Sequence, residues 1–299
     1  MKTGKILLIG GSYFLGRAFT ILHMETHALT LLNRGNNPVN SPLVREFHMD
    51  RHDTEALKRL PDETFDAVVD FCAYEKGDIE TILSALKQTP KRYIMISTAD
   101  VYERNTGRYM KEEDALESRI FPGEQGAYIA GKVALEKELK TAAEASGMSY
   151  TLIRPSIIYG PGNYAPRENL YFQWIRDEGA VYFDPEANGE FQMVYVADVA
   201  RAIGRLIDED MEVPILNLCG AEMLTQERFF EALEAATQVS FVRKALTKEE
   251  AVAHGVVFPF PQRAEETQYY DAKKAEEMGF SFVSLEEGLA KAYQSFLRR

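Results

Sequence analysis

This 299-residue sequence has few cysteines, no cluster of positive charge and no long apolar run. Its two cysteines, Cys72 and Cys219, stand far apart, which argues against a disulfide framework and a cysteine-ligated metal site. No long basic block occurs and the formal net charge is −12, so nucleic acid is an unlikely partner. No apolar run approaches the length of a membrane span, and the N-terminus enters a strand pattern without a signal peptide. We therefore expect a soluble, cytoplasmic protein.

The first feature that is present is a strand, a glycine turn and a helix. Residues 6–9 form an apolar run that is typical of a parallel strand buried on both faces. Glycines at such a turn allow a pyrophosphate to approach the helix N-terminus. An ordinary strand-to-helix turn is the alternative. The predicted cofactor contacts of this loop are Gly10, Ser12, Tyr13, Phe14, Leu15 and Gly16.

Strands and helices alternate through the first half of the chain. This alternation predicts an α/β fold, a Rossmann doubly wound parallel sheet with helices on both faces. After residue 155 the pattern becomes mixed and turn-rich, which predicts a smaller mixed C-terminal substrate lobe. We predict a dinucleotide-binding domain over residues 1–155, rejoined by about 190–219. The substrate-binding lobe is predicted over 156–189 and 220–299.

The ends of the strands should carry the chemistry, because ligands of such sheets bind at the carboxyl edge. The second predicted strand ends at Asn33 and Arg34. No acidic residue stands there that could accept a hydrogen bond from the ribose 2′-hydroxyl of NAD. The Arg34 guanidinium could pair with a 2′-phosphate, which slightly favours NADP over NAD. Asp50, after the third strand, could accept from the adenine amine. A solvated loop arginine and a plain turn aspartate are the alternatives.

Tyr128 and Lys132 lie four residues apart in a long predicted helix, so they share one face. A lysine beside a phenol stabilises the phenolate, and the tyrosine can then act as an acid or base near neutral pH. Thr98, at the end of the fifth predicted strand, could donate its hydroxyl to a substrate oxygen. A helix-surface pair remains the alternative, since the same spacing recurs at Tyr269/Lys273 and Tyr270/Lys274. The histidines show no metal-ligand spacing, so no metal site is predicted.

Together these motifs resemble the extended short-chain dehydrogenase/reductases of the NAD-dependent epimerase/dehydratase family. The matching segments are Gly10 to Gly16, Ser97–Tyr102, Tyr128 to Lys132, Arg154–Pro161 and Val196–Asp198. The resemblance implies that Thr98 is a hydroxyl donor, Tyr128 the acid/base, and Lys132 the ligand of the nicotinamide ribose. It also implies a cofactor site lined by Cys72, Ala73, Tyr74, Pro155 and Ile158. A nucleotide sugar is the implied small-molecule substrate, with Asn163 and Arg263 as contacts, and a homodimer is a further possibility.

Two departures from the family pattern bear on function. Tyr13 stands where the family has its middle glycine, and Phe191 and Gln192 stand where an arginine often holds the phosphates of a sugar nucleotide. The motif from Gly10 to Gly16, with Asn33–Gly35 and Phe258–Arg263, resembles an atypical branch that includes the chloroplast stem-loop-binding proteins, in which the catalytic tyrosine is often missing. The sequence predicts an NAD(P)-dependent oxidoreductase of the epimerase/dehydratase type. A non-enzymatic NAD(P)-binding protein that binds RNA or regulates is the alternative.

Overall fold

The computed structural model describes residues 4–104 and 106–298. It divides into two compact units. The first unit comprises the chain up to Glu103, Glu112–Pro155 and Val199–Leu218. The second comprises Arg104–Lys111, Ser156–Asp198 and the chain from Cys219 onward.

The first unit is built on a seven-stranded sheet. Its strands are β1 (Lys5–Ile9), β2 (Ala28–Asn33), β3 (Val44–His48), β4 (Ala67–Asp70), β5 (Arg92–Ile96), β6 (Ser149–Pro155) and β10 (Ile215–Leu218). Their order is β10-β6-β5-β4-β1-β2-β3, and every neighbouring pair is parallel. The predicted doubly wound parallel sheet is therefore confirmed. Because the strands are parallel, their carboxyl ends all meet at one edge, where the predicted cofactor residues follow them.

Helices cover both faces of this sheet. They are α1 (Phe14–His23), α2 (Thr54–Leu57), α3 (Asp78–Ala85), α4 (Gly123–Ser146) and α6 (Val196–Asp208). Leu7 and Ile9 of β1 belong to a core cluster with side chains of α2, α3 and α4. On α1, His23 lies so close to Gly204 of α6 that a Cβ at that glycine would meet its ring at 2.1 Å. Most residues of β1, β2, β4 and β5 are buried on both sides, whereas those of the edge strand β3 are partly or fully exposed.

The second unit has two small parallel sheets, which pair β7 (Ile157–Tyr159) with β9 (Met193–Tyr195), and β8 (Ala180–Phe183) with β11 (Val242–Ala245). Its helices are α5 (Glu168–Glu178), α7 (Gln226–Thr237), α8 (Lys248–Ala253), α9 (Lys273–Glu277) and α10 (Leu285–Leu297). Helix α10 packs on α5 and α7. Phe260 lies between Phe191 and Tyr171, with ring centroids at 4.2 and 5.9 Å and nearly parallel planes. Aromatic stacking therefore forms the centre of this unit.

The structure differs from the sequence-based expectations at several element ends. The sequence predicts a helix over 54–60, whereas α2 ends at Leu57. The sequence also predicts Asp78 as a helix cap, whereas Asp78 is the first residue of α3 and Gly77, with φ of 97°, is the cap. The sequence does not predict the short strands β7, β8 and β11. Within residues 4–104 and 106–298, no helix is both long and apolar enough to cross a membrane.

Candidate functional site

The glycine turn after β1 is as tightly packed as a dinucleotide loop requires. A Cβ at Gly16 would lie 2.4 Å from the Gly10 carbonyl oxygen, closer than real atoms approach. Gly10 has φ of +81°, and a Cβ there would lie 2.8 Å from the Cys72 sulfur. Both positions therefore require glycine, and the absence of side chains leaves the backbone of the turn open to a ligand.

Tyr13 replaces the family's middle glycine without strain. Its φ and ψ are −137° and 146°, which is extended backbone that any residue adopts, and it precedes α1 as the N-cap. The adjacent Phe14 has φ of 41°, in the left-handed region that bulky residues avoid. The deviation from ordinary backbone geometry thus lies one residue after Tyr13. Ser12 and Leu15 are both buried beneath the turn.

Asn33 and Arg34 behave differently at the end of β2. The Asn33 amide donates to Glu46 (2.8 Å), and its oxygen accepts from the Gly35 N–H (2.7 Å), so this side chain shapes the turn. Arg34 is exposed and has no hydrogen bond or ion pair within the described residues. Its guanidinium is therefore available to an anion. Asp50 is exposed, and its carboxylate accepts from the His52 N–H (2.9 Å), as in a plain turn.

Lys132 and Tyr128 come together on one face of α4. The Lys132 side chain is 2% exposed, and Nζ donates to the carbonyl oxygens of Ala73 (2.7 Å) and Ile96 (2.8 Å). The Tyr128 ring centroid lies 5.7 Å from Nζ, and the Tyr74 centroid lies 4.8 Å from it. Burial lowers the pKa of Lys132 to about 8, although the negative charge of Asp70 opposes this effect. The lysine thus ties α4 to the ends of β4 and β5.

Thr98 lies two residues beyond the carbonyl that Lys132 binds. It caps a short 3-10 helix, Ala99–Val101, by accepting from the Asp100 N–H at 3.2 Å. This contact uses an oxygen lone pair of Thr98, so the hydroxyl hydrogen is left for donation. Thr98 is buried, with 9% of its surface exposed.

A buried ion pair, which the sequence reading missed, lies one helical turn beyond Lys132. Glu136 accepts two bonds from Arg154 of β6, at 2.9 and 2.6 Å, and one from the Ser97 hydroxyl at 2.6 Å. Both charged side chains are at most 3% exposed. Burial opposes the charge of Arg154, but the Glu136 carboxylate raises its pKa above the ordinary value. The sequence signal that could have indicated this pair is the position of Glu136, four residues after Lys132 and therefore on the same face of the helix.

A second buried pair, also missed, lies at the end of β4. Arg51 donates two bonds to Asp70, at 3.1 and 2.9 Å, and Tyr93 donates its hydroxyl to the same carboxylate at 2.7 Å. Burial and the nearby Asp70 raise the pKa of the Cys72 thiol to about 12, which makes it a poor nucleophile. An acid inside a predicted buried strand was the signal for this cluster, since such a charge needs a partner.

Pro155 ends β6 in the first unit, whereas Ile158, Asn163 and Arg263 belong to the second unit. Ile158 lies in β7. The Asn163 amide donates to both oxygens of Glu168, at 3.1 and 2.9 Å, and is 2% exposed. Arg263 pairs with Asp184 at 2.6 Å. Both predicted substrate contacts are therefore engaged inside the unit, and their substrate role stays a prediction.

Glu168 and a cavity are further features of the second unit. Burial raises the pKa of Glu168 to about 7, although its hydrogen bonds from Gly160 and Asn163 oppose this effect. A cavity of about 490 Å³ lies at the N-terminal end of α7. Its lining residues are Phe183, Ala187, Asn188, Gly189, Glu190, Thr225, Gln226, Glu227, Phe230 and Arg243.

The parallel sheet, the glycine turn and the Tyr128/Lys132 pair are the features on which the resemblance to the NAD-dependent epimerase/dehydratase family rests. A model of the NAD dependent epimerase/dehydratase family matches residues 79–219. The matched segment is less than half of the chain. The match includes Thr98, Tyr128 and Lys132 but begins beyond the glycine turn.

Among curated proteins, the chain is similar to the chloroplast stem-loop binding protein of 41 kDa b of Arabidopsis thaliana. The two are 30% identical over 260 residues, which cover 82% of this chain and 62% of that protein. The chain thus spans less than two thirds of the length of this relative.

Two solved structures show the same fold. One is a UDP-N-acetylglucosamine 4-epimerase from Methanobrevibacter ruminantium in complex with UDP-N-acetylmuramic acid, with a TM-score of 0.78 and 19% identity, covering 100% of this chain and 99% of that one. The other is a UDP-glucuronic acid 4-epimerase from Bacillus cereus in complex with UDP-glucuronic acid and NAD, with a TM-score of 0.76 and 17% identity, covering 98% and 99%. At these identities the similarity concerns the fold.

Proposed function

We propose that this protein is an NAD(P)-dependent oxidoreductase of the epimerase/dehydratase type, with Tyr128 as its acid/base. The observation that carries the proposal is the Tyr128 ring 5.7 Å from the buried Lys132 ammonium, on the helix that borders the ends of β4 and β5. The two other tyrosine–lysine pairs of the same spacing lie outside the first unit.

The residues around the glycine turn fit a dinucleotide. Gly10 and Gly16 leave backbone open at the N-terminus of α1, where a pyrophosphate is stabilised. Arg34 offers an unpaired guanidinium, which supports NADP over NAD. Lys132 and the backbone of the segment Cys72–Tyr74 would hold the nicotinamide end. The nicotinamide, when bound, supplies a hydride acceptor or donor.

The remaining chemistry belongs to the chain's own side chains. The Lys132 cation near the Tyr128 ring favours the phenolate, so Tyr128 can take a proton from a substrate hydroxyl and return it. Thr98 can donate its hydroxyl hydrogen to the same oxygen. The substrate class that these groups suit is an alcohol or carbonyl, and the nucleotide sugars named with the structural neighbours support a nucleotide sugar.

Replacement of Tyr128 tests this proposal. Tyr128→Phe removes the hydroxyl and should lower turnover of a nucleotide-sugar substrate at least about 100-fold, while NADP(H) binding is retained. Tyr269→Phe is the matched control, because Tyr269 has the same spacing to a lysine, and it should retain turnover. The measurement is a screen of UDP-, GDP- and dTDP-sugars by coupled absorbance and NMR. Retained turnover in Tyr128→Phe would contradict the role of Tyr128.

The cofactor preference has its own test. Arg34→Ala should weaken NADPH binding about tenfold, the loss expected for one charged hydrogen-bonded contact, and should leave NADH binding unchanged. Arg17→Ala, on α1, is a control for lost positive charge. Equal weakening of both cofactors would contradict a 2′-phosphate contact.

A second candidate function is favoured by the 30% identity to a stem-loop binding protein. In this case the chain would bind NAD(P) and RNA without catalysis. The net charge of −12 argues against it. Filter binding of a stem-loop RNA at two salt concentrations separates the candidates, because tight binding with a steep salt dependence is expected only of an RNA-binding protein.

A further inference from the structure

The Lys132 ammonium, which the proposed function assigns to the nicotinamide ribose, is covered in this structure. Its side chain is 2% exposed. Two backbone carbonyls, of Ala73 and Ile96, accept hydrogen bonds from Nζ. The rings of Tyr74 and Tyr128 lie 4.8 and 5.7 Å from Nζ. A ribose hydroxyl therefore reaches Nζ only if one of these four groups moves.

The Tyr74 side chain is the group best able to move. The two carbonyls belong to backbone at the ends of β4 and β5, and Tyr128 must stay near Lys132 to act as acid/base. Tyr74 is 49% exposed, against 38% for Tyr128. Its ring is therefore the covering group with the most solvent around it.

The backbone of Tyr74 is fixed, so only the side chain can turn. Its N–H donates to the Asp78 carboxylate at 2.8 Å. Its carbonyl oxygen packs against α4, where a Cβ at Gly131 would lie 2.6 Å from it. Asp78 is itself held by His52 at 2.8 Å. A motion of the whole loop would break these contacts, whereas rotation about the side-chain bonds breaks none of them.

We propose that the Tyr74 side chain is a gate over Lys132: its ring covers the ammonium in the free protein and swings towards solvent when a dinucleotide binds. The inference rests on the proposed function, because it assigns the cofactor to the same lysine. In the closed position the Tyr74 ring is attracted by the ammonium and lies 6.5 Å from the Tyr128 ring, and a bound cofactor must replace the cation–π attraction. The gate therefore lowers the apparent affinity for the cofactor roughly two- to fivefold, the weight of one such contact at a partly exposed site.

The first test is cofactor affinity, measured by NADPH and NADH fluorescence. Tyr74→Ala should bind roughly two- to fivefold more tightly than the parent. Tyr74→Phe keeps the ring and should bind as the parent does. Tyr109→Ala removes a tyrosine of similar exposure, 47%, from the second unit and controls for loss of a surface ring. Equal thermal midpoints establish that the variants are folded.

The second test needs no cofactor. Acetylation by N-hydroxysuccinimidyl acetate, followed by peptide mass spectrometry, reports how accessible the Lys132 amine is. Tyr74→Ala should be acetylated at Lys132 several times faster than the parent and Tyr74→Phe, while the exposed Lys137 on the same helix reacts at one rate in all three.

The outcomes separate this inference from the function it rests on. Unchanged acetylation of Lys132 in Tyr74→Ala, or cofactor binding that is unchanged or weaker, overturns the gate and leaves the oxidoreductase proposal standing. Failure of the parent to bind either dinucleotide overturns both. Faster acetylation together with tighter binding supports the gate, whichever substrate the enzyme uses.

Discussion

The two units are held together internally by different kinds of contact. In the first, buried ion pairs join Arg154 of β6 to Glu136 of α4, and Arg51 of the turn after β3 to Asp70 of β4. In the second, the centre is a stack of aromatic rings around Phe260. Charged pairs with several directed hydrogen bonds fix side-chain geometry more narrowly than ring stacking does. The contacts of the first unit thus fix the positions of individual side chains, whereas those of the second unit fill its interior.

Position 191 shows what this difference means for the substrate. The family often has an arginine in the segment where this chain has Phe191 and Gln192, and Phe191 stacks on Phe260 at 4.2 Å with planes 10° apart. The Phe191 side chain is 4% exposed, so it belongs to the aromatic centre. Under the proposed function, this chain would therefore differ from the family more in substrate recognition than at Thr98, Tyr128 and Lys132.

The largest effect is expected from breaking the charged centre of the first unit. Glu136→Ala leaves the buried Arg154 without its carboxylate and should lower the free energy of unfolding by about 4 kcal/mol. The measurement is urea denaturation followed by circular dichroism. The double variant Glu136→Leu/Arg154→Met removes both charges and should be less destabilised than the single one. Equal losses would show that packing, not charge, governs this site.

A smaller loss is expected at the aromatic centre of the second unit. Phe260→Ala removes a ring that is 6% exposed and stacked on both sides, which should cost about 3 kcal/mol. Val257→Ala, at a side chain 61% exposed, is the control and should change little. In the same denaturation assay, a loss below about 1 kcal/mol would contradict the importance of stacking.

A substitution in the glycine turn of the first unit tests whether its close packing is needed for dinucleotide binding. In Gly16→Ala the new Cβ meets the Gly10 carbonyl oxygen, so the turn must open at a cost of about 2 kcal/mol. Dinucleotide binding should weaken in parallel. Thermal unfolding and NADPH titration measure the two effects, and Arg17→Ala on the same helix is the control. Parent-like binding in Gly16→Ala would argue that the turn does not contact the cofactor.

The smallest effect is a pH dependence from Lys132. Its pKa falls from 10.5 to about 8 on folding, mainly because the ammonium is buried. Below about pH 8 both folded and unfolded chains hold the proton, and the buried charge lowers stability. Above it the unfolded chain keeps a proton that the folded chain has lost, so the free energy of unfolding rises with pH until about 10.5. The rise should be about 1 kcal/mol between pH 8 and 9.

Lys132→Met is the comparison for this pH dependence, because it lacks the titrating group. The difference in unfolding free energy between parent and variant, measured in urea at pH 7, 8, 9 and 10, isolates the lysine from other groups that titrate there. A difference that stays constant with pH would show that Lys132 keeps its ordinary pKa.

Regular elements with clear end signals could be predicted from the sequence. The sequence predicts helices over 226–237 and near 285–297, and α7 and α10 have these bounds because Thr225 and Ser284 cap them with side-chain hydrogen bonds. The parallel sheet followed from the alternation of short apolar runs, such as residues 6–9, with helical patterns. The strands β7, β8 and β11 lie outside this alternation, and they form only because segments distant in sequence meet.

The same limit applies to the candidate site. The contact between Tyr128 and Lys132 could be predicted, because positions four residues apart in a helix are neighbours. An acid in a buried strand indicates that Asp70 needs a partner, but no sequence pattern identifies that partner as Arg51, 19 residues away. Tyr74 was expected to line the cofactor, but its place above the lysine depends on how the loop after β4 packs on α4. Both features depend on tertiary contacts, which sequence patterns do not predict.

The Glu136 carboxylate, with donors from Ser97 and Arg154, has a consequence for how this lineage can change. Under the proposed function, a descendant that lost catalysis would no longer need the Tyr128 hydroxyl. Replacement of Glu136 or Arg154 alone would leave a buried charge without its partner and lower the free energy of unfolding. In such a lineage Glu136 and Arg154 would be retained after Tyr128 had been substituted. Retention of Tyr128 would then be the feature that distinguishes enzymes from inactive descendants.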